Sequence, residues 1–191
     1  RGYIGTANRK NDIMKIDERH RLRPLQIEDA QALFNILDGQ RQQMRVWLPF
    51  VDGTHKMEDT RDAMTSFCTP ENPQFCILCN DEVVGLIGFK ETDTDCRKTE
   101  IGYWLSFDHQ GKGLMTGAVK LLLAYAFNEM QMNRVTIKAA EQNHKSRSIP
   151  ERLGFTQEGV ERDGELLVDN VFTNIVVYGL LKKEYLEETS K

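Results

Sequence analysis

The sequence predicts an α+β fold built on a mostly antiparallel sheet. Three observations carry this. Short apolar runs flank Asn80-Asp81-Glu82, and two more flank Arg162-Asp163-Gly164, each pair reading as a hairpin. Between the hairpins the pattern runs strand, helix, strand, helix. The most apolar helical stretch follows a glycine-containing loop. Hairpins that bracket a short alternating segment argue against a doubly wound parallel sheet.

Each element has a local reason. Arg19 to Leu25 alternates enough for a first strand, and Pro24 confines it to an edge or a strand end. Ala30, Leu33, Phe34 and Leu37 make a helical stripe across Glu28 to Leu37, with Gly39 placed to close it. Trp47-Leu48-Pro49-Phe50 is an apolar loop, and Glu58 to Phe67 reads as a second helix. Phe75 to Cys79 and Val83 to Lys90 are strands, followed by a polar loop from Glu91 to Lys98. Thr99 to Phe107 is the next strand, Met115 to Met130 a long helix, and Arg134 to Ala140 a strand again. Ser146 to Leu153 is a short helix stopped at Gly154, with Pro150 tolerated near its first turn. Phe155 to Glu161 and Asn170 to Leu180 close the chain as strands. Residues 1–13 show no periodicity. The first fourteen residues read as an N-terminal extension or expression remnant, with Met14 a plausible native start, and residues 15–191 as one domain.

The chain has 191 residues and 22.0 kDa, of which 40% are hydrophobic and 28% charged, an ordinary globular balance. A chain of this size buries about 70% of its unfolded surface, enough for one core without staples. Collagen-like, disordered and disulfide-miniprotein classes are excluded. The longest apolar run, Leu121 to Phe127, falls far short of a membrane span. Net charge is −4, and no dense Lys/Arg cluster supplies the basic footprint of a sequence-independent nucleic-acid binder. A local patch can still hold a small polyanion. No charged segment leading into an apolar one opens the chain, so the expectation is a cytoplasmic protein. Cys76 and Cys79 have CxxC spacing, but residues three apart on a strand point to opposite faces. All four cysteines, with Cys68 and Cys96, are therefore read as reduced thiols, and no metal site is expected.

The most informative segment is Asp108-His109-Gln110-Gly111-Lys112-Gly113-Leu114-Met115-Thr116, between a strand and a helix. Glycines let a ligand approach the backbone, and a helix start offers unpaired N–H groups and a positive dipole end. Together they suit a pyrophosphate. A Walker A loop fails here, because Ser106 stands at the first glycine place and Gly113 where Ser or Thr is required. A Rossmann fingerprint fits Gly111 and Gly113 but meets Thr116 at its third place. A tight turn with no ligand is the remaining competitor. On the preceding strand Ile101, Tyr103 and Leu105 share one face, and Glu100, Gly102, Trp104 and Ser106 the other. An acid beside a glycine in a central strand marks either a functional opening or a salt-bridged carboxylate. Downstream, Asn143 or Ser146 can cap the short helix.

Together these segments resemble a known family. Trp47-Leu48-Pro49-Phe50, Thr99-Glu100-Ile101-Gly102-Tyr103-Trp104-Leu105, His109-Gln110-Gly111-Lys112-Gly113, Asn143-x-x-Ser146 and Arg152-Leu153-Gly154-Phe155 occur in the order and spacing of the GNAT N-acetyltransferases. The chain resembles their RimJ/RimL-like branch, which includes ribosomal-protein Nα-acetyltransferases, from His20 to Leu181. One place departs: the family pattern Gln/Arg-x-x-Gly-x-Gly/Ala begins here with Asp108. The resemblance implies a GNAT fold, a mixed and mostly antiparallel sheet of six or seven strands. That sheet is splayed between two central parallel strands, Thr99–Phe107 and Arg134–Ala140. It implies acetyl-CoA in the gap. Backbone groups of Leu105, Ser106 and Phe107 would meet the pantetheine. N–H groups from Gln110, Gly111, Lys112, Gly113, Leu114 and Met115 would hold the pyrophosphate, with Asn143 beside them. Lys145 and Arg147 would add charge or form a solvated basic face.

The implied reaction is direct attack of an amine on the acetyl thioester. The protonated amine must first lose a proton. The resemblance makes Glu100 the carboxylate that takes it, directly or through one water. Ser146 matches the residue proposed to protonate the leaving thiolate, or to give it a hydrogen bond that strengthens as charge develops. A backbone N–H of the Leu105 strand would face the oxyanion. No cysteine has a histidine partner that suggests an acyl-enzyme. The expected partners are acetyl-CoA and an amine acceptor, either a protein N-terminus or a small amine. No nucleic acid, membrane or metal is expected, and a homo-oligomer is left open. Trp47 to Phe50, the second helix and the Arg162–Asp169 turn would shape the acceptor pocket. A non-catalytic acyl-CoA-binding sensor on the same fold is the competing function.

Overall fold

The computed structural model describes residues 13–190; of the extension expected over residues 1–14, residues 1–12 lie outside the described residues. The strands are β1 (Met14–Lys15), β2 (His20–Pro24), β3 (Gln74–Cys79), β4 (Glu82–Asp93), β5 (Lys98–Leu105), β6 (Arg134–Ala140), β7 (Thr156–Leu167) and β8 (Val171–Leu181). They form one sheet in the order β1-β2-β3-β4-β5-β6-β8-β7. The eighth strand, beyond the expected six or seven, is the two-residue β1. The helices are α1 (Ala30–Gly39), α2 (Arg41–Met44), α3 (Met57–Phe67), α4 (Leu114–Ala124), α5 (His144–Arg152) and α6 (Lys182–Thr189).

Every neighbouring pair is antiparallel except β5 and β6. That parallel ladder holds only Lys98–Arg134, Thr99–Val135 and Glu100–Thr136. Beyond Glu100, β5 stays paired with β4 up to Leu105, and β6 stays paired with β8 up to Ala140. The sheet therefore forks at Glu100.

Both faces are covered. On one, α4 buries Val119 and Leu122 against Phe75, Ile87, Phe89 and Ile101. On the other, Leu33 of α1 and Met64 of α3 pack on Cys76, Leu78 and Leu86. Trp104 reaches both this cluster and a smaller one of Leu37, Met44 and Val51. Tyr103 and Leu105 belong to the α4 side, so the alternation expected for this strand is the one observed. Cys76 lies in the α1/α3 cluster and Cys79 against the α4 cluster, so the CxxC sulfurs face apart. Arg23 forks onto both oxygens of Asp29 at 2.8 Å and ties β2 to the start of α1. Burial pushes the Asp29 carboxyl up, but Arg23 and the Gln26 amide outweigh it and hold it below the usual carboxylate range. No helix among the described residues is long and apolar enough to cross a membrane.

Several boundaries differ from expectation, and local geometry accompanies the larger ones. The β3–β4 hairpin turns on Asn80 and Asp81 alone, at φ 48° and 71°, as a tight two-residue turn demands. The polar segment after Lys90 prolongs β4 to Asp93, with Glu91 at φ 51° marking the irregularity. The helix expected over Met115 to Met130 is α4 followed by a π-helical turn, Tyr125–Glu129. The last hairpin does not turn at Arg162-Asp163-Gly164. That segment is absorbed as a register shift between Glu161 and Glu165, where the Asn174 side chain accepts the Asp163 N–H at 3.0 Å. The reversal comes at Val168–Asn170, with Asp169 and Asn170 at φ 59° and 60°.

Candidate active site

The fork opens into a cleft of about 760 Å³. Tyr103, Trp104 and Leu105 form its β5 wall, and Asn143, Lys145 and Ser146 its opposite wall. Gln110, Gly111, Gly113, Leu114 and Met115 form the floor, and Met44, Trp47 and Leu48 close a further side.

The floor has the geometry expected of an anion loop. Gly111 and Gly113 stand at φ 73° and 75°, where L side chains are strained. A Cβ on either would meet no protein atom within 4 Å, so the space in front of the loop is open. Gly113 caps α4, and its carbonyl accepts the Gly117 N–H at 3.0 Å. The N–H groups of Leu114, Met115 and Thr116 precede that first helical bond and have no intrahelical partner. Gln110 braces the loop by donating to the Leu105 carbonyl at 3.0 Å.

Not every expected residue reaches the cleft. Lys112 lies outside its wall and donates to the Asp108 carbonyl at 2.9 Å. Ser106 is buried, and its N–H donates to the Val84 carbonyl at 2.7 Å. Phe107 does line the cleft, but its N–H donates to the side-chain carbonyl of Gln40, at 2.7 Å, and Gln40 also donates to Asp108. Of the two basic candidates, Lys145 lies over the Phe107 ring, 4.8 Å from its centroid. Arg147 points elsewhere, to the Tyr178 hydroxyl and the Glu141 carbonyl at 2.9 Å each. Of the expected acceptor pocket, Trp47 and Leu48 line the cleft, while α3 and the Arg162–Asp169 segment do not.

Glu100 sits at the apex of the fork and is 8% exposed. It does not line the cleft, and its Oε1 is 3.0 Å from the Lys90 ammonium. A Cβ on Gly102 would meet the Lys90 Cε at 3.4 Å, so the glycine makes room for the lysine stem. Lys90 also faces Glu165, whose carboxyl burial pushes up and Lys90 pulls down. On the opposite arm, Asn143 caps α5 and its Oδ1 accepts the Ser146 N–H at 3.3 Å. Ser146 meets Tyr103, whose phenol is pushed up to about 12 by burial, with the Ser146 bond opposing.

Sequence reasoning missed Gln40, Glu165 and the Arg45–Asp169 pair. Arg45 joins Asp52 at 2.7 Å and Asp169 at 3.1 Å, binding the α2 region to the last hairpin turn. No local pattern marks contacts between residues 66 to 124 positions apart.

Comparison with known proteins places this geometry. The acetyltransferase (GNAT) domain family matches residues 19–156. A Bacillus subtilis protein, provisionally named ribosomal N-acetyltransferase YdaF, is 35% identical over 176 residues, covering 90% of this chain and 96% of that one. The spermidine N(1)-acetyltransferase of Escherichia coli is 28% identical over 169 residues, covering 88% and 89%. A solved structure of RimL, a ribosomal-protein alpha-N acetyltransferase in complex with coenzyme A, shares the fold with a TM-score of 0.85. It is 21% identical and covers 91% of this chain and 99% of its own.

Proposed function

The chain belongs to the GNAT N-acetyltransferases of RimL-like kind, and from that premise we propose that it moves the acetyl group of acetyl-CoA to a primary amine by direct attack. The observation that carries this is the open-faced glycine loop at a helix start, set at the floor of a forked sheet. The residues present fit the proposed co-substrate. Gly111 and Gly113 leave their backbone uncovered, and the first amides of α4 have no helical partner. Bound acetyl-CoA supplies an activated thioester.

The chain's own residues supply the rest. Glu100 takes the ammonium proton through a water, since it does not itself line the cleft. An N–H of the Leu105 strand faces the carbonyl oxygen as its charge grows. The Ser146 hydroxyl gives the departing sulfur a hydrogen bond. The acceptor in this reading is a protein N-terminus, a choice prompted by the word ribosomal in the name of the Bacillus subtilis relative, and the cytoplasm is the proposed site of action. The likeness to a relative named spermidine N(1)-acetyltransferase favours, as a second reading, a polyamine acceptor.

An acceptor screen tests both. Purified protein with acetyl-CoA is offered peptides with Ser, Ala or Met N-termini, spermidine, an aminoglycoside and free amino acids, and free CoA thiol is followed. Thiol release confined to one class identifies the acceptor. Binding of acetyl-CoA without release for any amine would replace the enzyme by a sensor.

A further inference from the structure

The two arms of the fork carry the candidate groups on separate elements. Tyr103 lies on β5, three positions past the last rung of the β5–β6 ladder, and Ser146 lies on α5, which follows β6. The Tyr103 phenol donates to the Ser146 backbone carbonyl at 3.1 Å, and the Ser146 hydroxyl donates to the phenol oxygen at 3.4 Å.

Why that carbonyl is free is written in the helix itself. In an α-helix the carbonyl of residue 146 would accept from the N–H of residue 150. Residue 150 is proline, which has no N–H. Because α5 starts at His144 and not at Ser146, Pro150 falls in the second turn, where the missing donor matters. Tyr103 fills the vacancy from across the fork. A half-buried carbonyl left without its helical donor gains from another partner, and here that partner belongs to the other wall of the site.

We propose that Tyr103 and Pro150 form one positioning device for the transfer reaction. Pro150 releases the Ser146 carbonyl, and Tyr103 uses it to hold Ser146 at the cleft wall and to direct its hydroxyl. This rests on the reading of Ser146 given above. A phenol has one proton. Given to the carbonyl, it leaves the phenol oxygen as an acceptor, so the serine proton turns toward Tyr103 when the site is at rest. The 3.4 Å contact is long and readily surrendered. When charge grows on the leaving sulfur, the hydroxyl swings to it while the 3.1 Å bond keeps the residue in place. Tyr103 stays protonated throughout, because a phenol is neutral at physiological pH and burial raises its pKa further. It acts here through Ser146, and so is a positioning residue.

The test is a double-mutant cycle with a third variant. Tyr103→Phe keeps the ring and removes the oxygen. It should lower kcat about fivefold to tenfold, the worth of one hydrogen bond, with acetyl-CoA affinity held within twofold. Added to Ser146→Ala, it should cost nothing more. Pro150→Ala restores an N–H that competes for the Ser146 carbonyl. It should raise the melting temperature and still lower kcat. A role in packing alone predicts a stabilised Pro150→Ala enzyme with unchanged kcat, and that result overturns the proposal. So does wild-type kcat in Tyr103→Phe beside a slowed Ser146→Ala, or a loss expressed as weaker acetyl-CoA binding. If Ser146→Ala itself turns over normally, the reading of the serine falls and takes this one with it.

Discussion

Glu100 concentrates the tension between chemistry and architecture. Alternation along β5 places it beside Gly102 and Trp104, and the structure keeps that face. The structure adds Lys90, which lies over Gly102 and reaches the carboxylate at 3.0 Å. A proton acceptor and a salt-bridged strut make different forecasts for Glu100→Gln. The glutamine keeps size and hydrogen bonding and loses basicity. As the base, Glu100 should be worth about 10²–10⁴ in kcat/KM. Acetyl-CoA affinity should hold, and the deficit should shrink at high pH, where more amine is already free. As a strut, the variant should melt lower and turn over normally. A pH–rate profile beside a melting curve separates the two, and near-wild-type turnover at neutral pH ends the general-base assignment. The face of this residue was legible in sequence because period two belongs to any strand. Its ion pair was not, because Lys90 arrives from the neighbouring strand.

The glycine loop and α4 are the element that sequence described best. Positive φ at Gly111 and Gly113 is a local property, and the motif announces it. What the fold contributes is the emptiness in front of them. Since a Cβ at Gly113 meets no protein atom, Gly113→Val acts through backbone strain and by covering the approach to the α4 amides. The strain costs about 1–2 kcal/mol. The folded variant should bind acetyl-CoA at least tenfold more weakly by calorimetry. Unchanged affinity in a folded Gly113→Val protein would remove the loop from the cofactor site. The last hairpin shows the opposite case. Arg162-Asp163-Gly164 and Val168-Asp169-Asn170 carry similar turn chemistry, and residue preferences alone do not rank them. Asn174 decides, because its side chain satisfies the Asp163 N–H and lets β7 continue.

At the scale of the whole molecule, one side of the cleft is joined to the last hairpin by a contact across 124 residues. Arg45 ties the α2 region, which supplies Met44, Trp47 and Leu48 to the cleft, to Asp169 in the last hairpin turn. Its guanidinium is held above its ordinary range by Asp52 first and Asp169 second. The pair is exposed, so it adds little to stability. Its consequence is the placing of one cleft wall. Arg45→Ala should therefore leave the melting temperature and acetyl-CoA affinity nearly unchanged and raise the acceptor KM severalfold. Unaltered acceptor KM would show that the wall holds its place without the clamp.

By itself the sequence determined the α+β class, the first hairpin, the alternation of β5, the glycine turn before α4 and the family. These rest on periods, turn residues and spacings that are complete within a few positions. Only the tertiary structure decided that the β5–β6 ladder stops at Glu100, that Lys90 meets that carboxylate, and that Gln40 takes the Phe107 amide. It also decided that Tyr103 answers the carbonyl Pro150 leaves open. The proline was visible at position 150 and its missing N–H could be counted. Its replacement donor could not, because a hydrogen bond between residues 43 positions apart is set by how two strands diverge, and no local pattern encodes that separation.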